Sequence, residues 1–194
     1  RAVEIAEAGG AESWLGRTKG VRVRFLPPDV LMGSLRRYDR HNSQLLLADT
    51  LDAASRAYQL AVHVAYTALR GEIAQIVRAE TFSGKTATNL VRRALAGYAA
   101  AALLMPYERF ARAVEARRYD VEALSRLFGT SFEQVAHRLT TLNRPGSERV
   151  PFFFLRIDVG WEQNLIRPFH AILAGAKFLV AAAGLHKVHS AGRH

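Results

Sequence analysis

At Asp52 the spacing of apolar residues changes, and that change limits the fold more than any other feature of the chain. Before it, apolar residues alternate with charged ones. After it, they recur at helical intervals. A chain that spends its strands first and its helices afterwards is an α+β protein, here mainly helical, and not a repeating βαβ fold. "VRVRFLP", Val21 to Pro27, has the alternation of a half-buried strand, and Pro27-Pro28 stops it. "SLRRYDR" and "QLLLAD" are two further strand-like runs, separated by the turn cluster "HNS". Together they predict a small antiparallel meander. Residues 1–19 read as a lead-in helix or linker, ending near Gly9-Gly10 or at "LGRTKG".

Beyond Asp52, an N-cap for "AASRAYQLAVHVAYTALR", a helical body follows. "EIAQIVRAE" is a short helix. "FSGKT" opens a long Ala-rich helix over Lys85 to Leu104, whose small residues allow close helix packing. Pro106 starts "YERFARAVEARR". Asp120 caps "VEALSRLF", Gly129 suits a left-handed C′ position, and Ser131 with Gln134 forms a capping box for "FEQVAHRLTTL". The last two helices form a C-terminal pair with the cadence of a helix-turn-helix. "VPFFFLRID" then reads as a buried strand. Residues 159–194 show no convincing element order: "KFLVAAAGL" has no clean period, and the segment holds four of the seven His with Glu162 as its single acid.

The chain has no Cys, which excludes disulfides and thiolate-held metal clusters within it. Its longest apolar run, Ala94 to Met105, falls well short of the roughly 20 residues that span a bilayer. The start "RAVEIAEAGG" has neither an initiator Met nor the apolar segment of a signal peptide, so a fragment and a cytoplasmic location are expected. With 27 Lys and Arg against 17 Asp and Glu, the net charge of +10 favours anionic partners: nucleic acid, phosphorylated ligands or acidic proteins.

Three catalytic patterns fail on inspection. "SGKT" lacks the phosphate-loop Gly, because position 79 is Ala79. "QLAVH" occupies the frame of H-E-x-x-H, but Gln59 and Leu60 replace the first His and the Glu. Only His63 survives, and one imidazole on an apolar helix is ordinarily a packed core residue. The tail residues His170, His186, His189 and His194 have neither acidic nor Cys companions. In the helix pair, a DNA reader would use Ser131, Glu133, Gln134, His137 and Arg138, yet Glu133 repels phosphate and little positive charge remains. Packing or ligand shaping is the better reading. The basic pairs lie elsewhere: Arg36-Arg37 with Arg40, Arg92-Arg93, and Arg117-Arg118. "RRYDRH" and "RRYD" each set Tyr beside Arg. Convergence of these two groups would suit an anionic, nucleotide-like ligand; solvated surface Arg is the alternative.

"GVRVRFLPPDV…LRRYDRH…LLLADTLDAASRAYQLAVHVA" resembles the degenerate ImmA/IrrE-type metallopeptidase domain of certain bacterial transcription regulators. "ALLMPYERF" and "SFEQVAHRLTTLNRPG…VPFFFLR" are similar to the same regulators, the short-chain acyl-CoA-sensing group that includes actinobacterial regulators of propionate and glyoxylate metabolism. The likeness runs from about Gly20 to Asp158. It implies an acyl-CoA sensor domain over 20–158, with a degenerate zinc-peptidase-like helical body. It also implies a DNA-binding helix-turn-helix that would lie before Arg1, outside this chain. The ligand-binding residues it implies are Tyr38, Arg40 and Tyr119.

Under that resemblance the expected function is sensing of short-chain acyl-CoA as effector. No cofactor, metal or catalytic residue is expected in the chain, DNA is contacted through the absent reader, no membrane is involved, and homo-oligomerisation is left open. The alternatives are a divergent metal-dependent peptidase around His63, and direct DNA binding by the helix pair. Two departures from the family stand out: the lost zinc frame, and the change of texture after Asp158. The family continues there with a polar, Cys-bearing segment, so a frameshifted or truncated gene is expected to account for residues 159–194.

Overall fold

The computed structural model describes residues 2–148, 150, 152–157, 177–182 and 185–190. It divides into two compact units: the described residues up to Phe110 together with Arg126–Thr130, and Ala111–Ser125 with the described residues from Ser131 onward.

The first unit begins with α1 (Ala2–Glu7) and α2 (Ala11–Lys19). The expected lead-in helix is thus broken in two. Gly9 and Gly10 both have positive φ, and the Gly10 N–H returns to the Ile5 carbonyl, which closes α1. Left-handed Gly20 closes α2.

Three strands follow: β1 (Arg22–Leu26), β2 (Arg36–Asp39) and β3 (Gln44–Ala48). Their order is β1-β3-β2, with β1 parallel and β2 antiparallel to β3. The sheet is therefore mixed, and the antiparallel meander is corrected. The reason lies in composition. β3 is the apolar strand, and its Leu45, Leu47 and Ala48 are buried. A meander would have put charged "RRYD" in the centre, whereas the observed order leaves both Arg-rich strands at the edges, where charge is tolerated and discourages edge pairing.

Helix α3 (Ala53–Ala68) carries the unit. Asp52 caps it, its Oδ1 accepting from the Ser55 N–H at 2.7 Å. Leu60 and Val64 pack with Leu45, Leu47, Trp14, Leu15 and Val21 in the main core. The other sides of α3 meet α4 (Arg70–Ala79) and α5 (Lys85–Leu104). There Ala61 and Ala65 lie against Ala100 and Ala96, so small side chains bring the helices close. Each fully buried Leu or Val of such a core contributes about 1.5–3 kcal/mol.

Helix α6 (Tyr107–Ala116) starts after Pro106 and ends in two consecutive left-handed residues, Arg118 and Tyr119. Asp120 then caps α7 (Val121–Phe128), accepting from the Ala123 N–H at 2.9 Å. The capping box of α8 (Phe132–Leu139) is present in both directions: the Gln134 N–H donates to Ser131 Oγ at 3.1 Å, and the Ser131 N–H to Gln134 Oε1 at 3.0 Å. The second unit continues with the hairpin β4 (Asn143–Arg144) and β5 (Ser147–Glu148), turned by Pro145 and left-handed Gly146. Strand β6 (Phe152–Ile157) pairs in parallel with β7 (Lys177–Ala182), and β8 (Leu185–Ser190) pairs antiparallel with β7. Two strands thus lie in a segment whose sequence shows no element order. His170, Glu162 and His194 lie outside the described residues.

Candidate functional site

The register of β2 decides which of its side chains meet α3. Arg36 stands opposite Leu47 and Tyr38 opposite Leu45, so both lie on the face of the sheet that carries the buried leucines. His63 of α3 receives them. Its ring centroid lies 4.6 Å from that of Tyr38, tilted by 50°. The Arg36 guanidinium donates from Nη1 to His63 Nδ1 at 3.4 Å. An imidazole that accepts at Nδ1 carries its proton on Nε2. That atom is buried without a hydrogen-bond partner among the described residues, and His63 as a whole is only 3% exposed. Burial, with the Arg36 charge added, pushes His63 down to about 4, so it is neutral near pH 7.

Arg36 is in turn tied to α3 on a second side, its guanidinium lying 5.4 Å from the Tyr66 ring centroid. Burial lowers its pKa; Tyr66 opposes that effect and Arg93 reinforces it. Arg93 comes from α5. Together with Tyr58, Gln59 and Tyr66 of α3, the two guanidiniums line a cleft of about 580 Å³. Burial raises the Tyr58 phenol against the pull of Arg93, and the phenol stays a neutral donor. Gly97 leaves room for it: a Cβ there would come 3.0 Å from Tyr58 Oη.

Tyr38 and Arg40 flank one turn. The Asp39 carboxylate holds that turn, accepting from the His41 N–H at 2.9 Å, the Asn42 N–H at 3.2 Å and Asn42 Nδ2 at 2.7 Å. These bonds, the Asn42 side chain foremost, keep the Asp39 carboxyl below its ordinary value. Arg40 is exposed at the tip and makes no hydrogen bond or ion pair among the described residues. Tyr119 belongs to the second unit, where its left-handed backbone (φ 63°) sets its ring 5.1 Å from Phe152. A positive φ is uncommon for so bulky a residue and is held only by its surroundings. The groups "RRYDRH" and "RRYD" therefore fall in different units. Within the first unit, Arg36 and Arg93 are brought together. The sequence shows both basic pairs but does not join them, shows Gln59 only as a lost metal position, and gives no role to Tyr58 or Tyr66. The Tyr58, Val62, Tyr66 spacing on α3 was the available signal.

A metal at α3 does not fit. Gln59 and Leu60 hold two positions of the zinc frame, and the third, His63, has a guanidinium against its Nδ1. Among the described residues no three His, Cys, Asp or Glu form a ligand group. Arg138, on which DNA reading by the helix pair depends, is 2% exposed and donates to Thr141 Oγ1 at 3.0 Å. A side chain so buried does not reach a base edge. No helix among the described residues is long and apolar enough to cross a membrane.

Similarity to known proteins agrees with this architecture. A family profile described as the IrrE N-terminal-like domain, Peptidase M78, matches residues 17–140. The chain is 41% identical over 123 residues to the HTH-type transcriptional regulator PrpR of Mycobacterium tuberculosis, covering 63% of this chain and 25% of that protein. It is 38% identical over 124 residues to the HTH-type transcriptional regulator RamB of Mycobacterium tuberculosis, covering 64% and 26%. It is 40% identical over 119 residues to a propionyl-CoA carboxylase regulator of Cereibacter sphaeroides, covering 61% and 26%. The matched part thus spans about a quarter of each of these relatives. A solved Mycobacterium tuberculosis transcriptional regulator superposes with a TM-score of 0.70 at 31% identity, covering 77% of this chain and 47% of that one. With its strand-then-helix order, its altered metal frame on α3 and a profile match over more than half its length, the chain belongs to the IrrE N-terminal-like domain family.

Proposed function

We propose that this domain is the ligand sensor of a bacterial transcription regulator, and that its effector is a short-chain acyl-CoA. The observation that carries this reading is the replacement at α3. Where a peptidase of this family would set a metal and its base, Arg36 and Tyr38 lie against His63 instead. A guanidinium and an aromatic phenol suit a phosphorylated ligand and not a polarised peptide bond. The regulator names of the relatives support the same conclusion. So does the exposed Arg40, held out by the Asp39 turn. Tyr38, Arg40 and Tyr119 are the ligand-binding residues in this proposal, with no catalytic residue and no metal. Ligand binding biases the conformation or self-association of a cytoplasmic regulator and thereby alters DNA binding by a helix-turn-helix elsewhere in it.

Calorimetric titration with coenzyme A and propionyl-CoA tests the proposal. Arg40→Ala should weaken binding by about 1.5–3 kcal/mol, the scale of a hydrogen bond to a charged group. Unchanged affinity removes Arg40 as a phosphate anchor. Stoichiometric zinc in the purified protein, lost in His63→Ala, would instead support a peptidase.

A further inference from the structure

Apart from Arg36, the cleft between β2, α3 and α5 has chemistry that the acyl-CoA reading does not use. Its polar lining is donor-rich. Arg36 and Arg93 carry only N–H groups, Tyr58 and Tyr66 offer phenolic hydroxyls, and Gln59 brings an amide. No Asp or Glu lines it. Among the described residues, the side chains of Arg93, Tyr58, Gln59 and Tyr66 make no hydrogen bond to any partner. Two like charges facing one space repel, and Arg36 is half-buried where water screens it poorly. A cleft that gathers positive charge and unused donors is complementary to an anion. Its volume, about 580 Å³, lies within the range of small-molecule sites. Val62, Gly97 and the tyrosine rings supply apolar wall for a short carbon body.

We propose that this cleft is a second effector site, for a compact dianion such as a short dicarboxylate or a phosphomonoester, with Arg36 and Arg93 each taking one charge. It goes beyond the acyl-CoA reading, whose ligand-binding residues are Tyr38, Arg40 and Tyr119, and the side chain common to both arguments is Arg36. The two guanidiniums come from elements far apart in sequence, β2 and α5, so the dianion ties the sheet to the second long helix. Tyr58 adds a neutral hydroxyl donor, and Gly97 keeps the space above it open.

The test uses the whole chain with succinate, inorganic phosphate and propionate as probes, read by calorimetry and by thermal unfolding. Succinate or phosphate should bind saturably, raise the melting temperature and lose affinity as salt is added. Propionate, with one charge, should bind at least tenfold more weakly. Arg93→Gln should weaken the dianion tenfold or more. Arg93 is exposed, so its loss leaves the fold standing. Arg92→Gln makes the same charge change one residue away, where the guanidinium reaches Asn89, and should leave dianion affinity within twofold. Preference for succinate identifies a dicarboxylate site; preference for phosphate identifies a phosphomonoester site. Absence of saturable dianion binding, or equal losses in Arg92→Gln and Arg93→Gln, overturns the proposal. Displacement of succinate by propionyl-CoA overturns its status as a separate site. Failure of Arg40→Ala to affect propionyl-CoA bears on the acyl-CoA reading alone.

Discussion

His63 should make this protein acid-sensitive in a narrow, predictable window. In the folded chain its pKa is about 4, pressed down by burial and by Arg36. In the unfolded chain it returns to about 6.5. Between those values the unfolded state binds the proton and the folded state refuses it, so stability falls as pH falls. Above pH 6.5 the contribution is fully present, and below about 4 it is fully lost. The two pKa values together give a loss of about 2 kcal/mol between pH 7 and pH 5. Urea unfolding at a series of pH values reads it directly. The carboxylates Asp39 and Asp52, held below their ordinary values by local hydrogen bonds, lose their contributions only at lower pH and leave this window clear. His63→Asn keeps an acceptor near Arg36 but cannot titrate. Its stability should be nearly flat from pH 7 to pH 5, whatever its absolute value. An equal slope in wild type and His63→Asn would refute the burial argument, and with it the neutral Nδ1 acceptor that orients Arg36.

Other substitutions probe the scaffold around the site. Leu47→Ala removes a fully buried side chain from the central strand and should cost about 2–5 kcal/mol in urea unfolding. Ser131→Ala breaks the capping box of α8 and should cost about 1 kcal/mol. Gly97→Ala improves helix propensity by about 0.5–1 kcal/mol, but its methyl group would press on Tyr58 Oη. The gain should therefore appear only when Tyr58→Phe is also present, which a double-mutant cycle measures. Arg138→Ala should lower stability and leave the salt-dependent binding of duplex DNA unchanged, because the side chain is buried.

Much of the local architecture is legible along the chain, because caps and periodicity act within a few residues. The Asp52 cap, the Ser131–Gln134 box and the span of α5 follow from side chains that satisfy nearby backbone groups. The break at Gly9-Gly10 is of the same kind. The degenerate metal frame was also visible, since Gln59, Leu60 and His63 share one short helical segment. Strand order was not. Which strand takes the centre depends on competition for burial among all three, and β3 wins because its leucines have the most apolar surface to hide. β7 and β8 escaped notice for a related reason: their pairing with β6 and with each other is non-local, and their own residues show little alternation.

The amino-acid order alone therefore determined the helical body, the caps of α3, α7 and α8, and the loss of a peptidase frame, all set by contacts a few residues apart. Only the tertiary structure decided that Arg36 meets His63, that Arg93 comes to share its cleft, and that Tyr119 belongs to a different unit from Tyr38. Those placements follow from sheet register and from the close packing of α3 on α5, which arise when distant segments bury apolar surface together.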